Sequence, residues 1–300
     1  MSAAPRIWLF GATSMVGWSV YQADPTAIRP FCNRHVKHPK CADWTRIQID
    51  SLPHLEALFA TGKPDILIHC GGVCGVRKCE ESMDWAWRVN VLSMAAILVA
   101  LPTSVRLVYV SSDHVFGHAE SPCLEQTTPT PISHYGRTRV AAEELLREAR
   151  PDGLILRVPL GVGPSIDGRT GHLDWLQYRH GRGLPITVIK DEVRAVVSAP
   201  ALGRRILDYA HSSITGTRHI TGPTMDRVEL AQKLCEAIPL SAEIKVESRH
   251  AQCYPHLGTV RLETSFTDAL AEPLPLPELL TGSAGFNRPH HAQRQDSMTW

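Results

Sequence analysis

The sequence predicts an α/β protein: a doubly wound parallel sheet with a smaller mixed α/β lobe on its C-terminal side. Three observations point there. Short apolar runs alternate with helical stretches over the first 158 residues, as parallel βαβ units require. A glycine-bearing turn, Gly11 to Gly17, stands between the first run and the first helix. Gly11, Gly71, Ser112 and Val158 all fall at strand carboxyl ends, where such sheets gather their ligands in one crevice.

Arg6 to Phe10 is a short apolar strand, and the turn after it leads into a helix. Ala27 to Cys32 reads as a second strand, and Leu55 to Ala60 as a short helix ended by Gly62-Lys63-Pro64. Asp65 to His69 is a buried strand followed by Gly71-Gly72. Glu80 to Ala100 carries a helical period, and Val105 to Val110 is an apolar strand ending at Ser111-Ser112. Tyr135 to Glu148 is mostly helix formers, and Leu154 to Val158 is again a strand. Residues 1–158 therefore form the sheet domain. Residues 159–284 read as a substrate lobe with some return to the sheet: Trp175 to His180, Ala199 to Tyr209 and Arg227 to Ala237 as helices, Thr187 to Ile189 as a strand. From 285 to 300 the chain is rich in His, Arg, Gln and Asn, which predicts a flexible tail.

Lys+Arg 31 against Asp+Glu 30 leaves the chain near neutral, so bulk charge suggests neither nucleic acid nor an anionic membrane as partner. The apolar run Val89 to Leu101 is interrupted by Asn90 and Ser93 and is shorter than a bilayer requires. No long apolar stretch stands near the N-terminus, so a cytoplasmic location is expected. Eight cysteines in a chain of this size read as reduced thiols. The spacing of Cys70, Cys74 and Cys79 matches no common metal pattern, and no metal is expected.

The most informative pair of sites is Ser112 and, twenty-three residues later, Tyr135-Gly136-Arg137-Thr138-Arg139. A phenol titrates near about 10, so proton transfer at neutral pH needs a cation beside it. Residues i and i+4 share a helix face, so Tyr135 and Arg139 can point into one cleft. Hydride-transfer enzymes that protonate a carbonyl oxygen use such a tyrosine, cation and strand-end serine.

Gly11-Ala-Thr13-Ser14-Met15-Val16-Gly17 follows a strand and opens a helix, the context of a dinucleotide-phosphate turn. Backbone N–H groups and the helix dipole would hold the pyrophosphate. Ser14 stands where such turns carry their middle glycine; its Cβ could crowd the cofactor, or its hydroxyl could donate to phosphate. After the second strand, where an acid would take a ribose 2′-OH, the chain has Asn33-Arg34-His35. Arg34 could instead pair a 2′-phosphate, so NADP(H) is preferred as cofactor, with NAD(H) as the alternative.

On these motifs the chain resembles the extended short-chain dehydrogenase/reductase family, and most nearly its dTDP-4-dehydrorhamnose reductase branch. Val110 to Phe116 resembles that branch's STDYVF strand end, and Pro131 to Glu143 its P-x-N-x-Y-G-x-T-K-x-x-x-E segment. Lys63 to His69, Cys79-Glu80, Val89-Asn90, Leu156-Arg157 and Val188 to Arg194 match further blocks, in order, over about residues 5 to 240. The resemblance implies that Ser112 hydrogen-bonds the substrate carbonyl, Tyr135 is the acid/base, and Arg139 stands where the family's Lys binds the nicotinamide ribose. Asn90 would support that geometry, with capping or packing as its other reading. Asp50 would lie near the adenine or be a solvated loop acid. Cys70, Gly71, Gly72 and Val158 would line the cofactor.

Four positions depart from the branch: Lys becomes Arg139, Gly becomes Ser14, Tyr becomes His114, and a frequent Trp becomes Leu160. Arg for Lys keeps the charge but replaces a compact ammonium with a planar fork. His114 and Leu160 fall where that branch contacts its sugar, His114 either as a second proton donor or as packing. A diphosphate-sugar would want cations in the second lobe, for which Arg169, Arg179, Arg182 and Arg194 are candidates beside a surface reading. Two functions follow: a reductase of a carbonyl in a modified sugar or other small metabolite, or a cofactor-binding regulatory subunit without turnover. Epimerase or dehydratase chemistry on the same fold is a third. The expected partner is a small-molecule carbonyl compound, and a homodimer is left open.

Overall fold

The structure, a computed structural model, describes residues 4–168, 171–237 and 243–278. In chain order the first half contains β1 (Ile7–Phe10), α1 (Met15–Ala23), β2 (Ile28–Asn33), β3 (Thr45–Ile47), α2 (Leu52–Thr61) and β4 (Ile66–His69). Then come α3 (Val76–Glu81), α4 (Met83–Trp87), one turn of π-helix (Arg88–Leu92), α5 (Ser93–Ala100), β5 (Arg106–Ser112), α6 (His134–Ala149) and β6 (Leu154–Val158). The remainder holds β7 (Leu160–Val162), α7 (His172–Gly181), β8 (Ile186–Ile189), β9 (Val193–Ser198) and α8 (Ala199–His211). It continues with β10 (Gly216–His219), β11 (Thr224–Asp226), α9 (Arg227–Ala237), β12 (Ile244–Glu247) and β13 (Thr259–Val260).

Among the described residues the main sheet has seven strands, all parallel, in the order β10-β6-β5-β4-β1-β2-β3. The strands β1 and β4 are buried throughout because both faces of the sheet are covered. Alternate residues serve two cores. Leu9, Ile68, Val108 and Leu156 pack with Val20, Leu202 and Ile206 under α1 and α8. Phe10, Leu67, Leu107, Tyr109 and Ile155 pack with Leu55, Met94, Ile97, Ala142 and Leu146 on the opposite face. Each such aliphatic side chain contributes roughly 1.5–3 kcal/mol by leaving water.

The lobe is built on β9, flanked by β11, β13 and β7, with β8 and β12 as a separate parallel pair. Residues after 158 also return to the main sheet, since β10 lies beside β6 and α8 covers α1.

The elements differ from the sequence reading where local signals were weak. α2 begins at Leu52 rather than Leu55, with Pro53 in its first turn, where a missing N–H does no harm. The stretch read as one helix from Glu80 is interrupted at Ser82, whose backbone (φ −143°) is not helical, and again by the π-turn. Met83–Ala100 is nevertheless one 18-residue apolar helical stretch, long enough by length and composition to cross a membrane, longer than the run seen in sequence. Here it puts Val91, Met94 and Ile97 into the protein and leaves Trp85, Trp87, Leu92 and Val99 exposed. The predicted tail at 285–300, and Arg169, lie outside the described residues.

Candidate active site

The glycine turn is built around backbone that approaches backbone. Gly11 has φ +78°, and a Cβ there would collide with Gly71, while one on Gly17 would collide with the carbonyl of Gly11. Ser14 closes the turn: its hydroxyl donates to the Gly11 carbonyl (2.9 Å) and accepts from the Gly17 N–H (3.0 Å), capping α1. The Ser14 side chain is thus engaged in the turn itself. Thr13 is half-buried on the same turn, Met15 lies against Gly161, and Val16 packs on the first core. No residue in this turn carries a charge, and the turn opens onto the N-terminus of α1, where backbone N–H groups and the helix dipole favour an anion.

At the end of β2, the Asn33 side chain accepts from the His35 N–H (3.0 Å). Arg34 is exposed, with Nη1 donating to Gln48 Oε1 (2.7 Å) and Nε to His35 Nε2 (3.0 Å). Asp50 is an exposed turn residue that pairs with Arg88 at 3.6 Å. At the end of β4, Cys70 N–H donates to the Phe10 carbonyl, and burial pushes its thiol up to about 12, an inert group at neutral pH. Among the described residues no group of three or more His, Cys, Asp or Glu is placed to hold a metal.

The chemistry gathers between β5 and α6. Ser112 ends β5 in register with Val158 of β6. Its hydroxyl donates to Asp113 Oδ1 (3.1 Å) and accepts from the His114 N–H (3.3 Å). Tyr135 occupies the first turn of α6, whose cap Ser133 accepts from the Gly136 N–H (3.0 Å). Asn90, on the π-turn, binds both polar atoms of Val73 (2.8 and 3.1 Å) and donates to Thr138 Oγ1 (2.9 Å). It therefore joins the loop after β4 to the helix carrying Tyr135, the kind of place where π-turns recur.

Arg139 is one turn on from Tyr135, and both are 5% exposed. The guanidinium carbon lies 5.1 Å from the centre of the Tyr135 ring, so the cation covers the ring face. Nη1 donates to the Tyr109 hydroxyl at 2.9 Å, and Nε is buried without a protein partner. Burial would lower the Arg139 pKa, but the facing hydroxyls of Tyr109 and Tyr135 raise it, so it stays charged. Burial raises Tyr135 above its ordinary value, with Arg139 and the Ser112 hydroxyl pulling the other way. Tyr135 thus holds its proton at neutral pH.

His114 meets the Tyr135 ring edge-on, centroids 5.1 Å apart and planes at 64°. Burial, then the Arg194 charge, lowers it to about 4, so it is neutral at pH 7, and its Nδ1 has no protein partner. Leu160 is half-buried at the start of β7, packed against the core of the lobe. Arg194 does not present a free cation: Nε and Nη2 grip the two oxygens of Asp113 at 2.8 and 2.6 Å. Arg179 and Arg182 stack on Trp175 and Tyr178 of their own helix, 5.5 and 5.4 Å from the rings.

Three residues were missed. Tyr109 reads as core in an apolar strand, and nothing in the sequence ties it to Arg139. Glu143 accepts from Nε and Nη2 of Arg157 (2.8 to 3.2 Å) and from the Ser111 hydroxyl (2.5 Å). An arginine in a strand and a carboxylate on the buried side of α6 were the available signal. Asp113, the anchor of Arg194, was passed over within its motif.

A parallel sheet with a glycine cradle, a strand-end serine and a helix-borne tyrosine under a cation defines the extended short-chain dehydrogenase/reductase class. The sequence profile of the RmlD substrate binding domain matches residues 5–257, and the chain belongs to that family. Its homologues include dTDP-4-dehydrorhamnose reductases, which are NAD(P)-dependent oxidoreductases. A probable low-salt glycan biosynthesis reductase of Haloferax volcanii is 25% identical over 58% of this chain, which spans 60% of that relative. The methionine adenosyltransferase 2 subunit beta of Rattus norvegicus is 26% identical over 78% of this chain and 72% of that protein. The dTDP-4-dehydrorhamnose reductase of Bacillus anthracis, solved with NADP, superposes with a TM-score of 0.74 at 20% identity, over 93% of this chain and 97% of that one, and shares the fold.

Proposed function

We propose that this protein is an NADP(H)-dependent reductase of a carbonyl group in a modified or nucleotide-linked sugar, with Tyr135 as the proton donor. The observation that carries the proposal is the buried assembly of Ser112, Tyr135 and Arg139, in which the phenol keeps its proton beside a fixed cation. The tight turn from Gly11 to Gly17, which leads from β1 into the N-terminus of α1, supports a dinucleotide-phosphate reading. When bound, NADPH would supply the hydride. Ser112 orients the carbonyl oxygen, Tyr135 gives it a proton, and Arg139 stabilises the phenolate left behind and anchors the ribose. Arg34 at the mouth of β2 would meet a 2′-phosphate.

A cofactor-binding subunit without turnover is the second reading, favoured by the relatives named methionine adenosyltransferase 2 subunit beta. The two separate in one assay: NADPH with a panel of nucleotide-linked keto sugars, on wild type and Tyr135→Phe. A reductase oxidises NADPH with at least one ketone, and the Phe variant loses about 10²–10⁴-fold in kcat with little change in cofactor affinity. Tight NADPH binding with no oxidation across the panel supports the subunit.

A further inference from the structure

We propose that Tyr109 is a positioning residue for Arg139, and that Arg139 depends on it in a way a lysine at the same place would not. The inference rests on Arg139 being the active-site cation and deepens that reading. Tyr109 sits inside β5 and is fully buried. Its hydroxyl receives Arg139 Nη1 at 2.9 Å, and its ring lies 5.6 Å from His69 at an interplanar angle of 28°. His69 is itself held, since its Nδ1 accepts from the Gly71 N–H (3.2 Å).

Arg139 has little else to hold it. No carboxylate pairs with it among the described residues. The Gly71 carbonyl is 3.5 Å from Nη1, at the edge of hydrogen bonding, and Nε has no protein partner. The Tyr135 and Tyr109 ring faces attract the charge but do not fix the direction of the fork. The Tyr109 phenol is therefore the shortest directional contact that keeps the guanidinium over Tyr135. The other arm fills space left by a missing side chain: a Cβ on Gly72 would lie 2.8 Å from Arg139 Nη2 and 2.6 Å from Asn90 Oδ1.

Lysine ends one atom earlier along the same path. Its ammonium would replace the guanidinium carbon, cover Tyr135, and stop short of the Tyr109 hydroxyl. Tyr109 and Gly72 are thus matched to an arginine. Through Arg139, Tyr109 acts on the proton affinity of Tyr135 and on the group that anchors the cofactor.

The test compares wild type, Tyr109→Phe, Arg139→Lys and the double variant. NADPH affinity is measured by fluorescence, and tyrosine ionisation by ultraviolet titration at alkaline pH, with Tyr135→Phe identifying the Tyr135 step. Phenylalanine keeps the ring between His69 and Arg139, and thermal midpoints verify the fold. In the arginine chain Tyr109→Phe should weaken NADPH roughly tenfold, the size expected of a lost hydrogen bond to a charged group, and move the Tyr135 step to higher pH. In the lysine chain the same change should weaken NADPH no more than about twofold, because the contact is already absent. Equal losses in both backgrounds, or no loss in the arginine chain, would overturn the proposal while leaving the reductase reading intact. Failure of all four chains to bind NADPH would overturn both.

Discussion

Gly136 lies so close to His114 that a Cβ on it would collide with the His114 carbonyl oxygen. The start of α6 is thereby pressed onto the end of β5, and this contact sets how near Tyr135 comes to Ser112 and His114. Gly136→Ala should therefore push Tyr135 away from the serine. A displacement of about 1 Å is enough to reduce kcat about a hundredfold. Turnover and thermal stability measured together will check it, the expectation being a loss in kcat larger than any loss in folding.

Arg139→Lys should retain turnover, because the charge over Tyr135 survives. Arg139→Ala should not. Without the cation the phenolate loses its neighbour, the apparent pKa of Tyr135 rises, and the alkaline limb of the pH–rate profile moves to higher pH. An Ala variant with wild-type kcat and an unmoved limb would place Arg139 outside the mechanism.

Arg34→Ala tests cofactor choice. Wild type should bind NADPH more tightly than NADH, and the variant should lose most of that preference, about 1.5–3 kcal/mol for a charge-assisted contact. NADH affinity should hardly change. Titration of both cofactors against both proteins decides it.

Glu143 is fully buried and accepts from Nε and Nη2 of Arg157, whose side chain is 3% exposed. Glu143→Gln leaves a buried guanidinium without its countercharge and should destabilise the fold by about 3–5 kcal/mol. Chemical denaturation will read it directly.

Acid should weaken the fold through buried histidines. His69 is held down to about 3 and His114 and His219 to about 4, in each case first by burial. Their folded pKa values lie below the ordinary value of about 6.5, so between there and pH 4 the unfolded chain binds more protons and stability falls with pH. Each histidine adds a slope of up to about 1.4 kcal/mol per pH unit. His114→Tyr should flatten the decline across that window, as denaturation midpoints at several pH values will show.

The sequence displayed the sheet well and its surroundings poorly, for physical reasons. β1, β4, β5 and β6 are almost wholly buried, and a strand buried on both faces reads as a mostly apolar run. β3, β7, β11 and β13 have two or three residues each, too few to carry a period. The glycine turn was readable because a turn needing close backbone contact admits few residue types. That Ser14 closes this turn was not, since a serine can serve a cap or a ligand equally well. The pairing of Tyr135 with Arg139 followed from helix spacing alone. Arg194 looked like a cation for substrate because its partner, Asp113, lies eighty-one residues away in the chain, and only folding brings the two together.

That last pair has a consequence for motion. Asp113 belongs to the sheet domain and Arg194 to the lobe, and their two-pronged bond is sealed from water, the side chains 1% and 10% exposed. Many two-lobed enzymes admit substrate by swinging their halves apart. Here Asp113 follows β5 and Arg194 lies in β9, so any parting of these two elements would have to separate a desolvated, doubly bonded ion pair. The pair thus acts as a rivet between the end of β5, which carries Ser112, and β9.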